Sequence, residues 1–142
     1  MTSLKEILFK LFRVLEIRSK AGVLHFRRWR LVERPLRRFF IHEIYEADAD
    51  KHPHNHPWDF KALIVYGGYV EQTEEGEREV KPWMIVRKTR DQFHKVLRLR
   101  GSVSISLFYA TGPYIEWGYQ TEEGFILEPQ YRKLKREGYW NR

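Results

Sequence analysis

The sequence predicts an all-β domain, a sandwich or barrel, with one helix at each end. Three observations lead there. Segments rich in Val, Ile, Phe, Tyr and Trp recur along the chain, and aromatics reach 15%, the residue types that pack well on a pleated surface. Gly, Pro, Asp and Asn interrupt these segments about every 8–12 positions, the rhythm of short antiparallel strands. Helical spacing of apolar residues is confined to the two ends. At 142 residues the chain reads as one domain, with a helix in residues 1–20 packed on a β domain of residues 21–142.

The elements follow in order. In "SLKEILFKLFRVLEI" the residues Leu4, Ile7, Leu8, Leu11, Phe12 and Leu15 recur at spacings of three and four, with Ser3 placed to cap an amphipathic helix. "VLHFRRWRLVE" and "RRFFIHEIYEA" read as strands broken by Pro35. "FKALIVYGGYVEQ" reads as an apolar strand, a Gly67-Gly68 turn and a return strand. "REVKPWMIVRK", "FHKVLRLR" and "SVSISLFYATG" continue the series, followed by the shorter "YIEWGYQ" and "FILEP". "PQYRKLKREGYW" closes the chain as a short basic helix.

Composition narrows the chemistry. There is no cysteine, so disulfides, zinc–cysteine sites and thiol nucleophiles are excluded. A transition metal would need histidine and oxygen ligands. No apolar run approaches the ~18 residues of a membrane span, and the expected compartment is the cytoplasm. The net charge of +7 is uneven. Met1–Arg38 holds 11 Lys/Arg against 3 Asp/Glu, Phe39–Val80 holds 3 against 10, and the remainder 12 against 6. The basic ends, with "RRWR" and "RPLRR", leave nucleic acid open as a weak partner, against the simpler reading of solvated strand faces.

The acidic middle contains "HPHNHPWDF", with His52, His54 and His56 at alternate positions. In an extended segment alternate residues share a face. Two imidazoles so placed have a separation fixed by the backbone, and each offers a lone pair near neutral pH, which suits a divalent ion. His94, at the head of "HKVLRLR", is the candidate third ligand from a distant strand. Ordinary imidazoles would lose such an ion as the pH drops through roughly 6.5.

These residues resemble the cupin pattern G-x5-H-x-H-x3–4-E-x6-G, followed by a second motif with one further histidine. His54-x-His56 is followed by Phe60 or Lys61 where the family has a carboxylate, and then by Gly67 or Gly68. The second motif survives as His94. A closer resemblance is to small single-domain cupins of phages and bacteria, without an assigned reaction, that carry H-x-H-P-W-x-F, G-G-Y-x-E, H-[KR]-[VI], T-G-P and W-G. Here the same order reads "HNHPWDF", "GGYVE", "HKV", "TGP" and "WG" across roughly residues 39–131.

The resemblance implies a double-stranded β-helix, or jelly-roll barrel, and one divalent ion on His54, His56 and His94. Fe(II) is favoured, with Mn, Ni, Zn or Cu as alternatives. His52, Asp59 and Glu71 remain open as further ligands or as partners that hold a ligand. Trp58, Tyr66, Tyr69, Phe93 and Tyr109 are candidates for the cavity wall. Lys61, Arg87 and Arg98 are candidate cations for a substrate's anionic end. The implied function is an oxygenase of the dioxygenase type, or a lyase or isomerase, acting on a small anionic molecule. The rival is a cupin that binds a metal or small ligand without turnover. A homodimer through strands near the N-terminus is a further expectation of the resemblance.

Overall fold

The computed structural model describes residues 1–141. Helix α1, Leu4–Leu11, starts as expected: Ser3 Oγ accepts from the Glu6 amide at 3.2 Å, and Glu6 Oε2 accepts from the Ser3 amide at 2.8 Å, a reciprocal cap. It ends four residues before Leu15. Arg13 takes a φ of 43°, and Leu15–Arg18 becomes strand β1 at the sheet edge. The 1–20 segment therefore holds a helix followed by a short strand. Its packing also differs from the periodicity. Phe9 and Phe12 meet Trp29 edge-on at 5.3 and 6.2 Å, while Leu4, Ile7 and Leu11 are exposed.

The strands that follow are β2 (Leu24–Arg34), β3 (Arg37–Ile44), β4 (Asp59–Tyr66), β5 (Tyr69–Thr73), β6 (Gly76–Val80), β7 (Ile85–Lys88), β8 (His94–Leu99), β9 (Ser104–Thr111), β10 (Gly118–Thr121) and β11 (Gly124–Leu127). Helix α2, Glu128–Arg136, and a 3-10 turn, Tyr139–Asn141, close the chain. One antiparallel sheet runs β1-β2-β3-β9-β4-β7, and a second is made of β6-β5-β8 and of β10-β11. His54 bridges β8 and β10 through His94 and Tyr119, so "HPHNH" stitches the two parts of the second sheet together.

Alternation sets the core. Phe40 of β3, Phe60, Ala62 and Ile64 of β4, Phe108 and Ala110 of β9 and Val86 of β7 point inward to meet Tyr69, Val80 and Val96 of the second sheet. The Gly67-Gly68 pair is not a hairpin turn. β4 pairs with β7 and β9, whereas β5 pairs with β6 and β8, so the two glycines turn the chain from one sheet to the other. A Cβ at Gly67 would stand 2.0 Å from the Val103 carbonyl oxygen, an approach that only glycine allows, and the φ of +75° there is one glycine adopts freely. "REVKPWMIVRK" likewise splits at Pro82-Trp83 into β6 and β7, one in each sheet.

Candidate metal centre

His54 and His56 come from a segment that is mostly irregular. His54 is held by a reciprocal main-chain pair with His94: each amide donates to the other's carbonyl at 2.9 Å. Asn55 fixes the segment from the other side. Its amide donates to the Gly118 carbonyl at 3.1 Å, its Oδ1 accepts from the Gly118 amide at 2.8 Å, and its Nδ2 donates to the Arg90 carbonyl at 2.9 Å. With the backbone so pinned, one ring nitrogen from each of His54, His56 and His94 lies within 4.8 Å of the others. His56 Nε2 and His94 Nε2 are 2.7 Å apart.

Glu71, on β5, stands behind His94. Its side chain is fully buried. Oε2 accepts from His94 Nδ1 at 2.8 Å, and Oε1 accepts from Lys88 Nζ at 3.0 Å and Arg78 Nη2 at 2.9 Å. Burial alone would raise this carboxyl's pKa, but the His94 hydrogen bond and the His94 and Lys88 charges hold it down to about 2. An ionised carboxylate is acceptor-only, so His94 Nδ1 must carry the proton and Nε2 is turned toward the other two rings.

The environment keeps His54 and His56 neutral. Burial, then the charge of His94, pulls His54 down to about 4 despite Asp48 nearby. Burial, with His94 and His54, holds His56 well below the ordinary histidine value. Proton competition at these ligands therefore sets in well below the pH 6.5 expected of exposed imidazoles. Three convergent imidazoles, with the His94 Nδ1 proton directed at Glu71, fit a divalent ion as donors. Phe60 covers His56 at a ring distance of 4.8 Å, and Trp117 approaches His54 at 6.0 Å.

The other sequence candidates fall elsewhere. His52 does not follow the parity of its neighbours, because the segment is not a continuous strand. It is buried with Nδ1 2.9 Å from Tyr131 Oη and Nε2 2.7 Å from Glu122, and it packs on Trp140. Asp59 accepts from the Arg90 amide at 2.8 Å and fastens the β7–β8 loop. Lys61, Arg87 and Tyr109 have the opposite parity to Ala62, Val86 and Phe108. They line, with Asp59, an outer groove of about 300 Å³ on the far side of the large sheet. Arg98 is exposed and lies 3.8 Å from Glu77. Tyr66 is exposed, Tyr69 is buried beside Glu71, and Phe93 meets Phe125 at 5.9 Å. Of the aromatic candidates, Trp58 borders the interior, next to Phe40 at 6.1 Å.

Sequence reasoning missed Asn55, Lys88, His42 and Arg28. His42 and Lys88 share strand parity with buried Phe40 and Val86, which was the available signal. Arg28 had none, since both faces of β2 carry arginine. The basic "RRWR" is not a free stripe. Arg27 lies 3.3 Å from Glu16 and from Glu43, and Arg30 lies 3.3 Å from Glu33. Among the described residues no helix is long and apolar enough to cross a membrane.

No family model matches the chain, and no curated protein sequence matches it significantly. Solved structures do. A cupin 2 conserved barrel domain protein from Rhodopseudomonas palustris superposes with a TM-score of 0.62 at 16% identity, over 87% of this chain and 85% of that one. A cupin-2 domain from Rhodospirillum rubrum gives a TM-score of 0.61 at 12% identity, over 78% and 76%. Fe(II) HppE gives 0.55 at 13% identity, over 70% of this chain and 55% of that one. Two apposed antiparallel sheets, with the histidines where the second sheet is stitched together, make this chain a cupin-fold β-barrel.

Proposed function

We propose that the protein is a metal-dependent cupin enzyme, an oxygenase of the Fe(II) type that acts on a small anionic molecule. The observation that carries this is the donor set. His54, His56 and His94 converge, while the nearest ionised carboxylate, Glu71, is turned to the back of His94. Three protein ligands leave positions open to other molecules, the layout of catalytic rather than structural sites. A ligand set without carboxylate leaves the ion's charge unreduced and favours anions. Fe(II) HppE among the structural neighbours favours iron.

His54, His56 and His94 would hold the ion, which would supply redox chemistry toward dioxygen when bound. The chain's own contributions are distinct. Glu71 keeps the His94 proton on Nδ1, so Nε2 stays a donor. Lys88 and Arg78 pair with the far oxygen of Glu71 at 3.0 and 2.9 Å. Phe60 and Trp117 crowd the rings and exclude water from their apolar sides. Asn55 and the His54–His94 main-chain pair hold the rings in register before anything binds.

The test is metal content after purification without chelator, with oxygen uptake measured on Fe(II)-loaded protein against a panel of small carboxylates, thiolates and phosphates. About one ion per chain is expected, absent in His54→Ala and His94→Ala and present in His25→Ala. A stoichiometric ion with no oxygen uptake across the panel would favour binding without turnover. No ion in the parent protein would end the metal reading.

A further inference from the structure

Among the described residues Arg28 is a partly buried cation that no carboxylate answers. Arg28, on β2, points inward beside β3, and its Nε donates to His42 Nε2 at 2.9 Å. His42 is buried, and burial followed by the Arg28 charge keeps it well below the ordinary histidine value. It therefore accepts as a neutral ring, orienting the guanidinium without neutralising it. Among the described residues no carboxylate oxygen lies within 4.0 Å of Arg28, and neither Nη1 nor Nη2 has a hydrogen-bond partner. Glu33, the acidic residue that acts on it from farther away, is taken by Arg13 at 2.9 Å and Arg30 at 3.3 Å. Arg38, the other inward arginine, differs: its nitrogens donate to the Gly112 and Pro35 carbonyls, each at 2.9 Å.

The surroundings are aromatic. The Arg28 guanidinium lies 4.7 Å from the Phe40 ring centre, 5.7 Å from Phe26 and 5.9 Å from Trp58. Trp58 Nε1 is a buried donor with no partner among the described residues. Arg28 is also near enough to the triad for its charge to act on His56. A partly buried cation without a counter-charge is costly, and it is retained here next to an orphaned indole donor.

We propose that Arg28 is the anchor for the carboxylate of a small substrate, which it receives end-on through Nη1 and Nη2 while His42 holds Nε. This rests on the metal-site reading above and names its substrate class. One guanidinium with two free nitrogens matches the two oxygens of a monocarboxylate. A phosphate dianion ordinarily draws on more donors than one arginine supplies. The aromatic walls favour an apolar body between the carboxylate and the histidines. His42 is a positioning residue, since it acts through Arg28.

The test follows the Arg28 side-chain Nε–Hε resonance in nitrogen-15-labelled protein, metal-free and Zn(II)-loaded, during titration with propionate and, separately, inorganic phosphate. Propionate is expected to shift that resonance saturably in both forms, at least about tenfold more tightly than phosphate. Arg28→Met should lose propionate affinity at least tenfold while binding Zn(II) stoichiometrically, and Arg28→Lys should recover only part of it. An Arg28 resonance that stays still in both forms overturns the proposal, as does Arg28→Met binding propionate as the parent does. Tighter binding of phosphate than propionate at Arg28 overturns the carboxylate assignment. Failure to bind Zn(II) with Arg28 still responding would instead count against the metal site, so the two readings fail separately.

Discussion

Replacing Glu71 with glutamine should separate what supports the barrel from what supports the ligands. The carboxylate accepts from His94, Lys88 and Arg78 at 2.8, 3.0 and 2.9 Å. An amide of the same shape presents its NH2 to one of these donors and removes the only charge within 4.0 Å that opposes buried Lys88 among the described residues. Breaking one side of a buried pair costs about 3–5 kcal/mol. At roughly 3–4 °C per kcal/mol for a domain of this size, Glu71→Gln should lower the metal-free melting temperature by about 10–20 °C. Losing the partner that fixes His94 should weaken metal affinity about 10- to 100-fold. Thermal denaturation by circular dichroism and calorimetric metal titration read the two effects. In Glu71→Gln/Lys88→Met the uncompensated ammonium is gone, so stability should recover while metal affinity does not. A melting temperature within about 2 °C of the parent, or affinity restored in the double variant, would refute the reasoning.

Further outcomes are expected. His54 titrates near 4 in the folded chain against 6.5 when unperturbed, so between these values the unfolded chain takes a proton that the folded chain refuses. The metal-free protein should hold its full stability above pH 6.5 and lose up to about 3 kcal/mol from this group by pH 4, measured by urea denaturation at stepped pH; flat stability across the window would contradict the burial argument. Gly118→Ala would place a Cβ 2.1 Å from the Ile126 carbonyl oxygen, while Gly101 has nothing within 4 Å. The first should cost at least about 1–3 kcal/mol and weaken metal binding through Asn55, and the second should be neutral in the same melts. DNA or RNA binding should be weak and vanish by about 0.15 M salt, unaffected by His56→Ala, because Arg27 and Arg30 are already paired; a filter-binding isotherm tight at that salt would reverse this.

The sequence carried the strands well because alternation is a local signal. Phe60, Ala62 and Ile64 against Lys61 and Leu63 announce which face is buried. The spacing and motif order of His54, His56 and His94 are specific, and the convergence of their rings could be anticipated from them. Two kinds of information were not local. Which sheet a strand joins depends on pairing across the whole chain, so Gly67-Gly68 read as a hairpin. Parity also fails where no strand exists, and His52 turns to Tyr131 and Glu122 rather than sharing a face with His54 and His56. Lys61 and Arg87 suit an anion by their chemistry, but their parity, opposite to that of buried Ala62 and Val86, turns them outward. In β2 the arginines at 27, 28 and 30 occupy both faces, and only the packing of Phe26 and Phe40 around Arg28 distinguishes the one that turns in.

The one-residue rung at His54 has a dynamic consequence. Residues 50–56 also receive the tail: Tyr119 and Lys135 donate to Asp50 at 2.8 and 2.6 Å, and Tyr131 meets His52 at 2.9 Å. Any breathing motion that peels β10, β11 and α2 off the body must pull on the same short segment that carries two of the three rings. Ion release and tail opening would then share a barrier. Amides of β10 and β11, remote from the coordinating atoms, should become slower to exchange with deuterium when the ion is bound. The off-rate of the ion would be governed by loosening of the carboxy-terminal hairpin rather than by the strength of the imidazole bonds alone.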